Sequence, residues 1–289
     1  MSLSLWQSYH SNKMTIRNTI HHIKSAIGHL YDEREATSIA RMVVQHSLGI
    51  DLSQLVVRYD EESPIEGLEQ IISDLQQGRP VQYILGEAEF CELKFKVSEG
   101  VLIPRPETEE LVYNIVQHAK PNSRIVDIGT GSGAIAIALA HHLPEAEVVA
   151  VDISPRALEI AKSNAERLGC EVQFVEADAL GDLTPLGEFD VVVSNPPYIP
   201  QSDISAMRVN VVDFEPHNAL FVPDDDALCF YRSIAENASK MLREGGSVWF
   251  EIYEEFGAEV CAELERCGFK CCKVLKDAND KDRVVWATR

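Results

Sequence analysis

Ile125-Val126-Asp127-Ile128-Gly129-Thr130-Gly131-Ser132-Gly133 runs a short apolar strand straight into a glycine-rich loop, and Ala134 to Ala140 continue it as an apolar, alanine-rich helix. Glycines at alternate positions let the backbone turn tightly and approach a ligand, and the N-terminus of the helix that follows offers unpaired N–H groups. From Ser123 onward strands and helices alternate, which predicts a mostly parallel sheet with helices on both faces.

Working outward, the second strand, Val148 to Val151, ends in Asp152, where a carboxylate can accept both hydroxyls of a ribose. Ser154 and Pro155 cap and start a helix that Gly169 closes. A third strand, Val172 to Val175, is followed by Asp178, where an acid can accept from adenine's amino group. Each acid alone also fits a solvated loop; three at successive strand ends fit a nucleoside site better. The loop spacing is G-x-G-x-G, not the dinucleotide G-x-G-x-x-G, and Asp127 precedes it. That departure points to S-adenosylmethionine, whose ammonium an acid helps to hold.

A fourth strand, Phe189 to Val193, delivers Ser194-Asn195-Pro196-Pro197-Tyr198. Two consecutive prolines donate no backbone hydrogen bonds and favour extended geometry before them, so the strand stops in a rigid turn. The Asn195 carboxamide both accepts and donates, and the carbonyl after it lacks a ladder partner. Such a turn can grip a planar amino group, with Tyr198 against its face. Asn-Pro-Pro-Tyr at a strand end is the signature of enzymes that methylate a planar nitrogen; the plainer reading is a loop whose Asn caps the turn.

Beyond the turn, residues 199 to 226 form a long irregular segment, read as a cover on the substrate side. A helix through Leu228 to Leu242 follows, then Gly245-Gly246, a fifth strand from Ser247 to Ile252, and a helix from Phe256 to Cys267. Phe269 to Leu275 and Val284 to Ala287 read as an antiparallel edge pair. Upstream, Phe90 to Val97 alternates as a half-exposed strand, one arm of a hairpin. In Ile103-Pro104-Arg105-Pro106-Glu107-Thr108-Glu109 two prolines freeze an extended segment, and Thr108 or the acids open a helix through Leu111 to Val116. Three amphipathic helices precede this: one from Thr15, one capped by Asp32 with Glu35 reaching back, and one capped by Ser63 with Pro64 first and Glu66 closing the box. Roughly the first eighty residues thus read as a helical bundle.

Composition narrows the partners. The chain has 289 residues, 45% hydrophobic and 25% charged, enough for one large domain and a small one. Its net charge of -20 comes without the Lys and Arg clusters of a protein that tracks nucleic acid, so no direct nucleic-acid contact is expected. Residues 1 to 85 hold seven Lys or Arg against ten Asp or Glu, which leaves most of the excess acid in the remainder. An acidic surface suits a basic protein partner and equally serves solubility. The seven cysteines form no C-x-x-C pair and make an odd total, which argues for a reducing cytoplasm. Nine histidines show no ligand spacing, so no metal is expected. No apolar stretch approaches the ~20 residues that span a bilayer, and no membrane association is expected. Met1 to Lys13 lack the basic start and apolar core of a signal peptide, and Met14 is itself a candidate start.

Collectively the chain resembles the release-factor glutamine methyltransferases, called PrmC and formerly HemK. The matching pieces are Gly78 to Gly86, Leu102 to Glu109, Asp127 to Gly133, Ser194 to Tyr198, Phe214-Glu215-Pro216 with Ala219-Leu220, and Asp282 to Val285. Asn-Pro-Pro-Tyr is shared with DNA-adenine and ribosomal-RNA guanine methyltransferases; the Ile-Pro-Arg-Pro-Glu-Thr-Glu segment is far more specific.

The resemblance implies a class I S-adenosylmethionine-dependent methyltransferase fold, a Rossmann-like seven-stranded α/β sheet with a small N-terminal helical bundle. The implied division is 1–85, a helical substrate-docking domain; 86–105, a hairpin and linker; and 106–289, the methyltransferase domain. The implied activity methylates the side-chain amide nitrogen of the glutamine in the Gly-Gly-Gln motif of class 1 peptide-chain release factors, with S-adenosylhomocysteine as product. A monomer is expected, in the reducing cytoplasm that the cysteines suggest. By the same carry-over Gly129, Thr130, Gly131, Ser132, Gly133, Asp152 and Asn195 contact S-adenosylmethionine, and Ala179, after Asp178, lies beside the adenine. Asn195, Pro196, Pro197 and Tyr198 hold the glutamine, with Asn195, Pro196 and Tyr198 in the catalytic role. Tyr253 and Asn279 stand where the family usually has glycine. The rival reading is a nucleic-acid methyltransferase of the same fold, acting on an adenine or guanine amino group; a non-enzymatic adaptor and a dehydrogenase rank behind it.

Overall fold

The computed structural model describes residues 14–289, so the Met1 to Lys13 stretch, and with it the reading of Met14 as a start, lies outside the described residues. The chain divides into two compact units that part between Leu85 and Gly86.

The first unit is helical, with helices Ile16–Ile27, Glu33–Leu48, Leu52–Val57, Leu68–Gln76 and Val81–Leu85. Ile16, Ile20, Ile23 and Ile27 form one fully buried stripe against Ala36, Ile39, Ala40, Val43 and Val44 of the next helix. Burying each such isoleucine contributes about 1.5–3 kcal/mol. Asp32 caps the second helix by accepting the Glu35 N–H, and Gly49, left-handed at φ 61°, ends it.

Two expectations are corrected here. The third expected helix does not begin at Ser63-Pro64. The Ser63 N–H bonds the Met14 carbonyl and Thr15 bridges Glu62, which holds this stretch extended, and the helix starts only after Gly67, at φ 71°. The helix Leu52–Val57, opened by an Asp51/Gln54 capping box, has no counterpart in the sequence reading; it buries only Leu55 and leaves Leu52, Val56 and Val57 exposed, so it carries no apolar period.

The second unit opens with a hairpin, β1 (Glu87–Phe90) and β2 (Leu93–Lys96). The expected single strand from Phe90 to Val97 is therefore broken at Cys91-Glu92, whose φ values of 47° and 63° make a tight turn without glycine. The Cys91 N–H donates to the Glu109 carboxylate at 3.0 Å, which anchors that turn. After helix Pro106–His118 come β3 (Arg124–Ile128), helix Ala134–His142, β4 (Glu147–Asp152), helix Pro155–Leu168, β5 (Gln173–Glu176) and β6 (Phe189–Ser194). Residues 199 to 226 are not irregular throughout. β7 (Ile199–Pro200) pairs in parallel with β8 (Phe221–Val222), and between them lie two 3-10 turns and the short helix Val209–Val212. Helix Cys229–Met241, β9 (Leu242–Glu251), helix Gly257–Arg266, β10 (Lys270–Lys276) and β11 (Asp282–Thr288) complete the unit.

The main sheet has seven strands in the order β10-β11-β9-β6-β3-β4-β5. β11 pairs antiparallel with both neighbours, so it alone runs against the rest. The last two strands form the expected antiparallel edge pair, with β10 outermost and β11 between it and β9. Trp249 and Trp286, paired across β9 and β11, stack with centroids 5.0 Å apart. Apolar side chains fill both faces of the sheet, Ile125 and Val193 on one, Val126 and Val192 on the other. Sequence order turns around between β3 and β6, and in open parallel sheets ligands bind outside the carboxyl ends at such a switch.

Candidate active site

At the carboxyl end of β3 the chain makes three left-handed turns, with φ of 80°, 56° and 83° at Gly129, Gly131 and Gly133. A Cβ at Gly129 or Gly131 would meet nothing within 4 Å, so these two glycines line open space. Gly133 differs: a Cβ there would lie 2.8 Å from Ile137 Cδ1 and 3.0 Å from Ala161 Cβ, so it serves close helix packing. The Gly129 and Thr130 N–H groups bond the Val151 carbonyl, and the Gly131 N–H donates to Asp152 Oδ2 at 2.8 Å. Asp152 Oδ1 accepts from the Ser154 N–H, which leaves a lone pair on each oxygen of a carboxylate whose orientation is set. Asn164, fully buried, fastens the loop from behind, donating to the Ser132 carbonyl and bonding both backbone groups of Lys96.

Asp127 is fully buried. Its Oδ2 accepts the Thr130 hydroxyl at 2.6 Å, while Oδ1 has no partner. Burial pushes its pKa up to about 7, against the pull of the Thr130 hydrogen bond. A buried acceptor without a donor, beside a glycine cradle, fits a cofactor that carries an ammonium group. Asp178 is exposed and spends Oδ1 on the Leu180 N–H; the neighbouring Ala179 carbonyl accepts from Ser233. The Ala177 N–H bonds the Asp152 carbonyl, which ties this loop to the end of β4.

The Asn195-Pro196-Pro197-Tyr198 turn leaves the end of β6, and the Ser194 hydroxyl donates to the Ile128 carbonyl at 2.6 Å, locking that turn to the start of the glycine loop. Asn195 Nδ2 lies 3.4 Å from Thr108 Oγ1. The Thr108 hydroxyl donates to Glu251 Oε2 at 2.5 Å, and the Tyr198 hydroxyl donates to Glu251 Oε1 at 3.1 Å. Thr108 therefore does not cap its helix, one of the openings expected from sequence; the cap position falls at Arg105, and Thr108 sits in the first turn of a helix that begins at Pro106. Burial raises the Glu251 pKa, opposed by the Thr108 hydroxyl and the Arg283 charge, and burial beside Glu251 raises that of Tyr198. Each Glu251 oxygen accepts one hydroxyl hydrogen bond, so this buried carboxylate orients both neighbours.

The rigid segment around Arg105 is a hub. Arg105 donates to Glu215 Oε1 at 2.6 Å and the Ile103 N–H to Oε2 at 3.2 Å, which clasps residues 199 to 226 to the entry of helix Pro106–His118. Glu215 is buried, and an ion pair of this kind holds only while both partners remain. Tyr253 donates to Asp203 at 3.0 Å, and its ring lies 6.1 Å from that of Tyr198. Among the described residues the non-glycine positive φ values fall at Cys91, Glu92, Cys271 and Asp280, so neither Tyr253 nor Asn279 needs the glycine's freedom. Sequence reasoning missed the roles of Glu251 and Asn164 and the Arg105–Glu215 clasp; Arg105 and Glu215 stood only among the matching pieces, and the signal for Glu251 was an acid closing the otherwise apolar run Val248-Trp249-Phe250. Among the described residues no group of three His, Cys, Asp or Glu is placed to hold a metal, and no helix is long and apolar enough to cross a membrane.

Residues 20–86 match the family described as PrmC N-terminal domain, and residues 107–212 the family described as Methyltransferase small domain. A release factor glutamine methyltransferase of Bacteroides thetaiotaomicron is 42% identical over 272 residues, spanning 93% of this chain and 98% of its own length. One from Flavobacterium psychrophilum is 39% identical over 280 residues, with 94% and 98% covered. Among solved structures, a Pyrococcus furiosus methyltransferase superposes with a TM-score of 0.50 at 18% identity, covering 67% of this chain and 87% of that one. A Thermus thermophilus 16S rRNA methyltransferase in complex with AdoMet and guanosine gives 0.51 at 20%, covering 70% and 49%. At such identities the structures speak for the fold alone. The sequence relatives say more: with this identity along nearly its whole length, the chain belongs to the release factor glutamine methyltransferase family.

Proposed function

We propose that this chain transfers a methyl group from S-adenosylmethionine to the side-chain amide nitrogen of the Gly-Gly-Gln glutamine of class 1 peptide-chain release factors, in the cytoplasm and as a monomer. The observation that carries the reading is the Ser194–Ile128 lock, which sets a planar-amide grip beside a glycine cradle. S-Adenosylmethionine supplies an electrophilic methyl on a sulfonium. Asp127, the Gly129 to Gly133 loop, Asp152, Asp178, Ala179 and Asn195 form its side of the site. An amide nitrogen is a poor nucleophile because its lone pair is delocalised, so the chain's task is geometry. The Asn195 oxygen and the Pro196 carbonyl accept the two N–H bonds, Tyr198 covers the amide plane, and Pro197 stiffens the turn. Held geometry of this kind contributes up to ~7–11 kcal/mol. No general base is required, since the nitrogen's proton becomes acidic after transfer and leaves to water.

The 46 acidic against 26 basic residues disfavour a nucleic-acid acceptor. The test is mass spectrometry of the Gly-Gly-Gln peptide from a recombinant release factor after incubation with this protein and cofactor. One added methyl is expected, absent with Asn195→Ala. No addition, with cofactor binding shown by calorimetry, overturns the choice of acceptor.

A further inference from the structure

A carboxamide can face its site in two ways, related by a half-turn about its Cβ–Cγ bond, and only one of them offers an acceptor to a substrate N–H. Whatever stands behind Asn195 therefore decides whether it works. Thr108 Oγ1 stands there, 3.4 Å from Nδ2. A hydroxyl has one proton, and that of Thr108 goes to Glu251 Oε2. Having given it to a carboxylate, Thr108 turns only lone pairs toward Asn195. The carboxamide must answer with its NH2, which sends Oδ1 to the opposite side. The other Glu251 oxygen takes the Tyr198 proton, so one carboxylate fixes both the amide and the ring. Thr108 is 4% exposed and Glu251 1% exposed, so water does not compete for these bonds. The two residues lie 143 positions apart, and the contact brings the first turn of helix Pro106–His118 to the end of β9.

We propose that Glu251 and Thr108 are positioning residues: through the fixed direction of the Thr108 hydroxyl they hold Asn195 with Oδ1 toward the substrate amide, and through Glu251 they hold Tyr198 over it. This rests on the reading of Asn195 as the acceptor of the substrate N–H. Glu251→Gln keeps shape and size but can donate to Thr108, which frees the threonine proton to point at Asn195 and admits the reversed carboxamide. Thr108→Val removes the relay; Thr108→Ser keeps it.

Steady-state kinetics on an intact release factor, with cofactor Kd by calorimetry and Tm measured in parallel, tests the proposal. Glu251→Gln and Thr108→Val are expected to lower kcat about tenfold to a hundredfold with cofactor Kd unchanged, and Thr108→Ser to recover most of the Thr108→Val loss. Glu251→Gln stands as the test on its own should Thr108→Val fold poorly. Parental kcat in Glu251→Gln, or a kcat loss matched by equal losses of cofactor affinity and Tm, overturns the proposal. Asn195→Ala in the same assay separates the two ideas: if it is as active as the parent, the acceptor reading itself has failed; if it is inactive while Glu251→Gln is not, only the positioning role has.

Discussion

Burial makes the Asp127 carboxylate reluctant to ionise. Its pKa of about 7, against an ordinary 3.8, means the folded chain holds a proton there that the unfolded chain has lost. Between those two values stability falls as pH rises, and above pH 7 the folded protein carries the full penalty, about 4 kcal/mol. Asp127→Asn is therefore expected to raise the Tm of the cofactor-free protein at pH 8 by several degrees, at ~2–4 °C per kcal/mol, and not at pH 4. The same substitution is expected to weaken cofactor binding at least about tenfold, because the ammonium loses its counter-charge. Thermal melts at the two pH values with parallel calorimetry check both. A Tm that does not rise, or an unchanged affinity, contradicts the assignment. Asp127 could be picked out from sequence because its role depends on near neighbours, Thr130 above all. Thr108 and Glu251 could not, since neither signals the other across 143 positions.

At the level of elements, the three glycines after β3 look alike in sequence and differ in what surrounds them. Gly133→Ala drives a methyl into Ile137 and Ala161 and is expected to cost about 1–3 kcal/mol, visible as a lower denaturant midpoint. Gly129→Ala meets no atom and strains only its own φ of 80°, so about 1–2 kcal/mol is expected, with a loss of cofactor affinity beyond what that strain explains. Equal effects of the two on fold and on cofactor would erase the distinction. Element identity was legible wherever the apolar period was intact, as in β3 through β6 and the helix Ile16–Ile27. It failed where through-space pairing overrode local signals. Ser63-Pro64 carries the marks of a helix start but is held extended by Met14 and Thr15, and the Cys91-Glu92 turn lacks glycine yet is anchored by Glu109.

For the whole molecule, the site residues argued above, from Thr108 to Glu251, all belong to the unit that begins at Gly86. A chain of residues 86–289 is therefore expected to fold and bind cofactor with the parental Kd. If the helical unit docks the acceptor, kcat/KM of that chain on an intact release factor falls at least about tenfold. Undiminished kcat/KM would remove the docking role. Only the resemblance pointed to such a role, since charge and periodicity describe the bundle without saying what it meets. The position of β11 between β9 and β10 ties three strands together. β10 pairs with no strand of the sheet other than β11, so its place there depends on β11 lying on β9, and only the short turn after Lys276 joins the two into a hairpin. The docking that seats this hairpin pairs Val284 with Glu251. The carboxylate that orients Asn195 and Tyr198 therefore stands on the seam that seats the C-terminal hairpin, so the grip is complete only with that hairpin in the sheet.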